Sequence, residues 1–160
     1  MAQRLDETDV LLLNELQQDA DRPNVELARL AGLSPAATLN RVRRLKQSGV
    51  IEGIHAKLDR DKAGFGLCVY VSVTLGVHEE AHERRFQDVV AGLPQVTAAA
   101  WVAGETDALL TVVARDLAEL QRVLVALSTR GGAQRVVTLL RLRAIKPDSP
   151  LPLGESRRLR

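Results

Sequence analysis

The chain has 160 residues, 46% of them hydrophobic and 26% charged, which suffices for one large domain or two small ones with packed cores. Aromatic residues make up 2%, too few for a surface that binds single strands by stacking bases, and no apolar run reaches the ~18 residues of a membrane span. A single cysteine, Cys68, excludes an internal disulfide or a two-cysteine metal site, and the net charge of only +2 conceals a segregation: acids dominate from Asp6 to Glu26, while cations gather from Arg41 to Lys46 and from Arg157 to Arg160.

The polar, acidic start does not resemble a signal peptide, and the cysteine usage fits a reducing cytoplasm. Asp6 is a good N-cap with Asp9 at N3, an acidic variant of the capping box, and Leu5 with Val10 suits a hydrophobic staple. Val10, Leu13, Leu16 and Ala20 form an apolar stripe at helical spacing. Asp21 to Asn24, with Pro23, breaks it; Asn24 caps a second helix that carries Leu27, Ala28, Leu30 and Ala31 and ends at Gly32. Ser34 caps a third helix with Pro35 at its first position, and Gly49 stops it. Leu39, Val42 and Leu45, joined by Thr38, face inward. Val50 to Asp59 reads as a short extended segment and "RDKAGFG" as a linker.

Beyond this point the pattern turns to strands. Leu67 to Val77 alternates, with Val69, Val71, Val73 and Leu75 on one face; Glu79 to Leu93 is helical and Pro94 ends it. Val96 to Ala103 and Ala108 to Ala114 are strands about the turn "GETD". Asp116 caps a helix carrying Leu117, Leu120, Val123, Leu124 and Leu127, and Arg135 to Ile145 is the last strand. The order β-α-β-β-α-β defines a ferredoxin-like unit, so the fold class is α+β: a helix-turn-helix domain over 1–53, an extended linker over 54–66, a ferredoxin-like domain over 67–147 and a mobile, Pro-rich tail over 148–160. Its two helices cover one sheet face; the bare face would show Val, Leu and Trp side chains, which points to a dimer at least.

Two short helices about a Gly turn form a helix-turn-helix, whose second helix fits the major groove of duplex DNA. The candidate contacts are Ser34, Pro35, Ala36, Ala37, Thr38, Asn40, Arg41, Arg43, Arg44 and Lys46. Ala36 and Ala37 let the backbone approach, Arg41 is the candidate for a bidentate guanine contact, and the other cations neutralise phosphates. A basic helix end that merely complements the helix dipole gives the same pattern.

The stretch "LDETDVLLLNELQQDADRPNVELARLAGLSPAATLNRVRRLKQSGVIEG" closely resembles the N-terminal domain of the Lrp/AsnC, or leucine-responsive, family of transcription regulators. The matching residues are Leu5, Asp6 and Asp9, then Glu26 to Ala28, Gly32 to Pro35, Arg41, Val42, Leu45 and Gly49 to Ile51. In the second half, Gly104 and Asp107 match the family's Gly-x-x-Asp turn, and Leu151 to Leu153 resembles a common ending. The resemblance implies a non-enzymatic, sequence-specific regulator that dimerises through its second domain, assembles further, commonly to octamers, and binds a palindromic operator. It also implies a small effector, usually an amino acid, at Gly104, Glu105, Thr106, Asp107 and Ala108, with no cofactor and no metal. The same turn read from residues alone is either a carboxylate-holding nest with Asp107 pairing an ammonium, or a plain hairpin turn. Thr106 and Ala108 stand where the family usually has aromatics, and "STRGGAQRV" replaces its usual Leu-Pro-Gly-Val.

Alternative readings are a nucleoid-organising protein without effector and a siroheme-decarboxylase-like enzyme, which three histidines (His55, His78, His82) serve poorly. His78 and His82 fit a solvated helix start better than a metal site. Ser34 sits in no nucleophile elbow.

Overall fold

The computed structural model describes residues 5–76 and 79–154. Val77, His78 and the cations Arg157 to Arg160 therefore lie outside the described residues. The chain divides into two compact units, residues up to 56 together with those from 146, and residues 57–145.

The first unit holds α1 (Glu7–Gln18), α2 (Asn24–Ala31) and α3 (Pro35–Gln47). The capping box is present: Asp6 accepts from the Asp9 N–H at 2.8 Å, and Asp9 accepts from the Asp6 N–H at 3.4 Å. The buried face of α1 is rotated from the expected stripe: Leu12, Leu13 and Asp9 are buried, Val10 and Leu16 are half-buried, and Ala20 lies past the helix in solvent. Asn24 opens α2 but does not cap it; its side-chain amide donates to the Pro35 carbonyl at 2.8 Å, tying α2 to the start of α3. Gly32 takes φ 65°, the left-handed conformation that closes the turn between the two helices. Leu12, Leu27 and Val42 form the small core; Leu39, expected inside, is 39% exposed.

The second unit holds β1 (Leu67–Leu75), α4 (Glu80–Ala91), β2 (Val96–Trp101), β3 (Ala108–Ala114), α5 (Leu117–Thr129) and β4 (Ala133–Leu140). The strands form one antiparallel sheet in the order β2-β3-β1-β4, the ferredoxin-like arrangement. Val69, Val71, Val73 and Leu75 of β1 pack with Ala108, Leu110, Val112 and Ala114 of β3 against Phe86 of α4 and Leu120, Val123 and Leu127 of α5. The register of β2 shifts between Val96 and Ala98. That irregularity brings Trp101 to the helix side, its ring 5.6 Å from Phe86, so it does not join the bare face as the alternation suggested. The bare face carries Tyr70, Leu109 and Leu139, each more than a third exposed, among Ser72, Thr74 and Thr111.

Residues 52–59 take no regular secondary structure, and 60–64 form a turn closed by the Phe65 N–H to the Arg60 carbonyl at 2.8 Å. Phe65 then lies under the Arg115 guanidinium at 5.1 Å, which places this stretch in the second unit. The expected final strand starts two residues earlier and stops at Leu140; Leu142 and Ile145 beyond it are exposed. The tail groups with the first unit, because Leu151 and Leu153 hydrogen-bond to α1.

Candidate nucleic-acid interface and effector turn

The interface is built on α3. The Ser34 hydroxyl accepts from the Ala37 N–H at 3.2 Å, a cap that stabilises a helix by about 1 kcal/mol. Pro35 follows at the first turn, where its missing N–H costs nothing. Thr38, Val42 and Leu45 are buried beneath the helix. Thr38 is fully buried, and its hydroxyl donates to the Ser34 carbonyl at 3.1 Å; it cannot meet DNA and drops out of the contact set.

At 100° per residue, the face opposite that buried stripe carries Ala36, Asn40, Arg43 and Gln47, all exposed. Gln47 was absent from the sequence-derived set; projecting the helix from its buried positions finds it. Ser34 and Pro35 are exposed at the helix start and Ala37 is half-buried. Lys46 is exposed on one flank. Arg43 and Lys46 enter no ion pair among the described residues.

Arg41 and Arg44 occupy the other flank and turn to α1. The Arg41 Nη1 donates to Asp6 Oδ2 at 2.7 Å and to Asp9 Oδ1 at 2.8 Å; the Arg44 Nη2 donates to both Asp9 oxygens at 3.0 and 2.9 Å. Asp9 is 1% exposed, and a carboxylate so buried is tolerable only because two guanidiniums and a backbone N–H surround it. The Arg41 hydrogen bond, followed by the Asp9 N–H, holds the Asp6 carboxyl below its ordinary value. Its bonds to Asp6 and then Asp9 raise the Arg41 guanidinium above its own. Arg41 is thus an anchor between helices, its Nη1 shared by the two acids of α1. The sequence put these acids 32 and 35 residues upstream, and the capping box alone seemed to account for them.

The turn between β2 and β3 is tied to the end of β1. The Thr106 hydroxyl donates to the Val73 carbonyl at 2.7 Å, the Asp107 N–H to the same carbonyl at 2.9 Å, and the Leu75 N–H to Asp107 Oδ2 at 2.7 Å. Gly104 takes φ 144°, a conformation that disfavours any side chain, and Glu105 is exposed. Asp107 lines a cleft of about 290 Å³ with Leu75, Glu83, Trp101 and Val102. Ala108 is 2% exposed and lines a second cleft, of about 220 Å³, that shares Trp101. Glu83 and Trp101 therefore belong to this neighbourhood, although neither was among the effector residues expected from the sequence.

A helix-turn-helix unit followed by a ferredoxin-like unit with a clefted turn is the architecture of a two-domain, ligand-responsive DNA-binding regulator. The AsnC-type helix-turn-helix model matches residues 5–46 and the Lrp/AsnC ligand-binding domain model matches residues 68–151, and the chain belongs to the Lrp/AsnC family. It is 38% identical over 143 residues to the leucine-responsive regulatory protein of Rhizobium meliloti, covering 89% of this chain and 92% of that protein. It is 35% identical over 150 residues to the HTH-type transcriptional regulator AldR of Mycolicibacterium smegmatis, covering 91% and 88%. A transcriptional regulator of Neisseria meningitidis, solved in complex with L-methionine, superposes with a TM-score of 0.88 at 29% identity, covering 96% of this chain and 99% of that one. The chain is a DNA-binding transcription regulator with a small-molecule effector domain.

Proposed function

We propose that α3 reads duplex DNA through its outward stripe. Arg43 is the base reader, since a guanidinium offers the paired donors that guanine accepts. Asn40 and Gln47 are the polar contacts beside it, and Ala36 and Ala37 admit the groove edge. Lys46, the exposed part of Arg44 and the Ser34–Pro35 helix start meet phosphates. Arg41 acts indirectly, by holding α3 on α1. The observation that carries this reading is the exposure of Ala36, Asn40, Arg43 and Gln47 along one helix face whose opposite side is wholly buried. Two copies joined through the bare sheet face, with Tyr70, Leu109 and Leu139 at its surface, would present paired helices to a palindromic operator with half-sites ~10 base pairs or a multiple apart. Further assembly, to an octamer, and a cytoplasmic location follow the family pattern.

The effector in this reading is an amino acid at the Gly104–Ala108 turn. Glu83 and Asp107 in one cleft with Trp101 suit the ammonium end, by charge and by the aromatic ring. That the L-methionine complex is a neighbour of this chain supports the assignment. One feature favours a regulator without effector: Asp107 already accepts from Leu75, and Thr106 already donates to Val73. Mapping genomic binding with and without a panel of amino acids tests both. A sharp operator footprint that one amino acid moves supports the effector reading; diffuse, unresponsive coverage supports the nucleoid-organising alternative.

A further inference from the structure

The segment that follows β4 seats itself on the DNA-binding unit. Residues 151–154 run antiparallel to α1. The Gln17 carboxamide accepts from the Leu151 N–H at 2.6 Å and donates to the Leu151 carbonyl at 3.2 Å, a two-way hydrogen-bond exchange like that of a paired strand residue. One turn back along α1, the Asn14 amide donates to the Leu153 carbonyl at 3.4 Å. One turn further, Gly154 lies against Val10; a β-carbon there would stand 3.3 Å from Val10 Cγ1, at φ 86°. Leu153 is half-buried, and with Leu151 it lines a groove of about 450 Å³ whose other walls include Leu5, Leu13, Leu16, Ile51 and Ile54. The tail covers part of that apolar wall, Ile54 remaining 45% exposed.

α1 therefore has two clients. Its Val10–Asn14–Gln17 side holds the tail, and its Asp6–Asp9 end holds Arg41 and Arg44 of α3. We propose that residues 151–154 are a clasp that fixes α1 and, through the Asp9 anchor, the DNA-contacting helix α3. The clasp gives the chain leaving β4 a second, non-covalent tie to the DNA-binding unit, besides the covalent junction at 56–57. A displacement of the β4 end would then be felt at α3 by way of the clasp. The coupling rests on reading α3 as the DNA-contacting helix; the clasp itself does not.

Full-length Gln17→Ala, Gln17→Glu and Gln17→Ala/Leu153→Ser chains test it by amide exchange and by retention of a mixed-sequence DNA duplex at low ionic strength. Gln17 is exposed, so its truncation leaves the core intact. The double variant should exchange roughly tenfold faster across Glu7–Gln18, with the sheet unit unchanged, and bind the duplex several-fold more weakly. Gln17→Glu keeps the acceptor for the Leu151 N–H and loses the donor, and should fall between. Unchanged exchange in α1 overturns the clasp. Faster exchange with undiminished duplex binding overturns its coupling to α3. If the unaltered chain retains no duplex, the fault lies with the DNA-contacting reading, and exchange alone judges the clasp.

Discussion

The two units are held by different forces. The sheet unit has a continuous apolar core of thirteen buried residues, whereas the core cluster of the helical unit holds three, Leu12, Leu27 and Val42. What the helical unit lacks in apolar burial it replaces with charge: a carboxylate at 1% exposure clamped by two arginines, with Arg22 joining Glu15 at 2.6 Å between α1 and the start of α2. A small domain buries too little apolar surface to be indifferent to such links. The Asp9 clamp falls on α3, the helix proposed to contact DNA, so on that one helix the charges that stabilise must be told apart from those proposed to bind.

The largest effect should come from the sheet. Leu110→Ala removes a side chain 1% exposed at the centre of the core and should cost about 2–5 kcal/mol, read as loss of the sheet unit's thermal transition while the helical unit melts separately. A single shifted transition for both units would show that they do not melt independently. Next is Asp9→Ala, which leaves Arg41 and Arg44 without their shared acid. The expected cost is about 2–3 kcal/mol, below that of breaking a fully buried pair because the Arg44 side chain is 51% exposed. Denaturation followed by amide exchange in α1 and α3 measures it, and DNA affinity should fall with it. A loss below about 0.5 kcal/mol would mean that the clamp is ornamental.

Smaller still are the substitutions that separate binding from folding. Arg43→Ala should weaken operator binding by about 1–3 kcal/mol and relax preference at one base position, with stability changed by less than about 0.5 kcal/mol. Lys46→Ala should weaken all duplexes alike and lower the salt slope by about 1. Arg41→Ala is the contrast: it should lose stability together with affinity. If Arg41→Ala instead relaxes specificity with stability intact, the roles of Arg41 and Arg43 are the reverse of those proposed.

These roles explain what the sequence could and could not disclose. The β-α-β-β-α-β order was legible because apolar periodicity of two and 3.6 is written locally, and the caps at Asp6, Ser34 and Asp116 all form. Trp101 was misplaced because one register shift in β2 reverses the parity on which face assignment depends. The α1 stripe was drawn through Val10, Leu13, Leu16 and Ala20, with Asp9 read only as a capping residue, because a charged residue is buried only with partners and its partners lie 32 and 35 residues away. For the same reason nothing near Arg41 in the sequence showed that it reaches the acids of α1. The tail read as mobile from its prolines, since nothing local marks Gln17 as its partner.

Acid should act on the two units through different carboxylates. Asp6 in the helical unit is depressed below its ordinary 3.8, first by the Arg41 hydrogen bond and then by the Asp9 N–H. Glu119 in the sheet unit is depressed below 4.5, first by the Arg115 N–H and then by the Gln95 side chain, each at 2.8 Å. A carboxyl that binds its proton less readily when folded favours the folded state wherever it is ionised in both states. That contribution is complete above the unfolded value and drains away as pH falls through it toward the folded one. Asp6→Asn should therefore flatten the acid dependence of the helical unit below about 3.8 and leave the sheet unit's alone; Glu119→Gln should do the reverse below about 4.5. Acid titration followed unit by unit through amide exchange or NMR chemical shifts reads the two separately. Crossed effects, with Asp6→Asn moving the sheet unit, would show that the acid stabilities of the two units are one property.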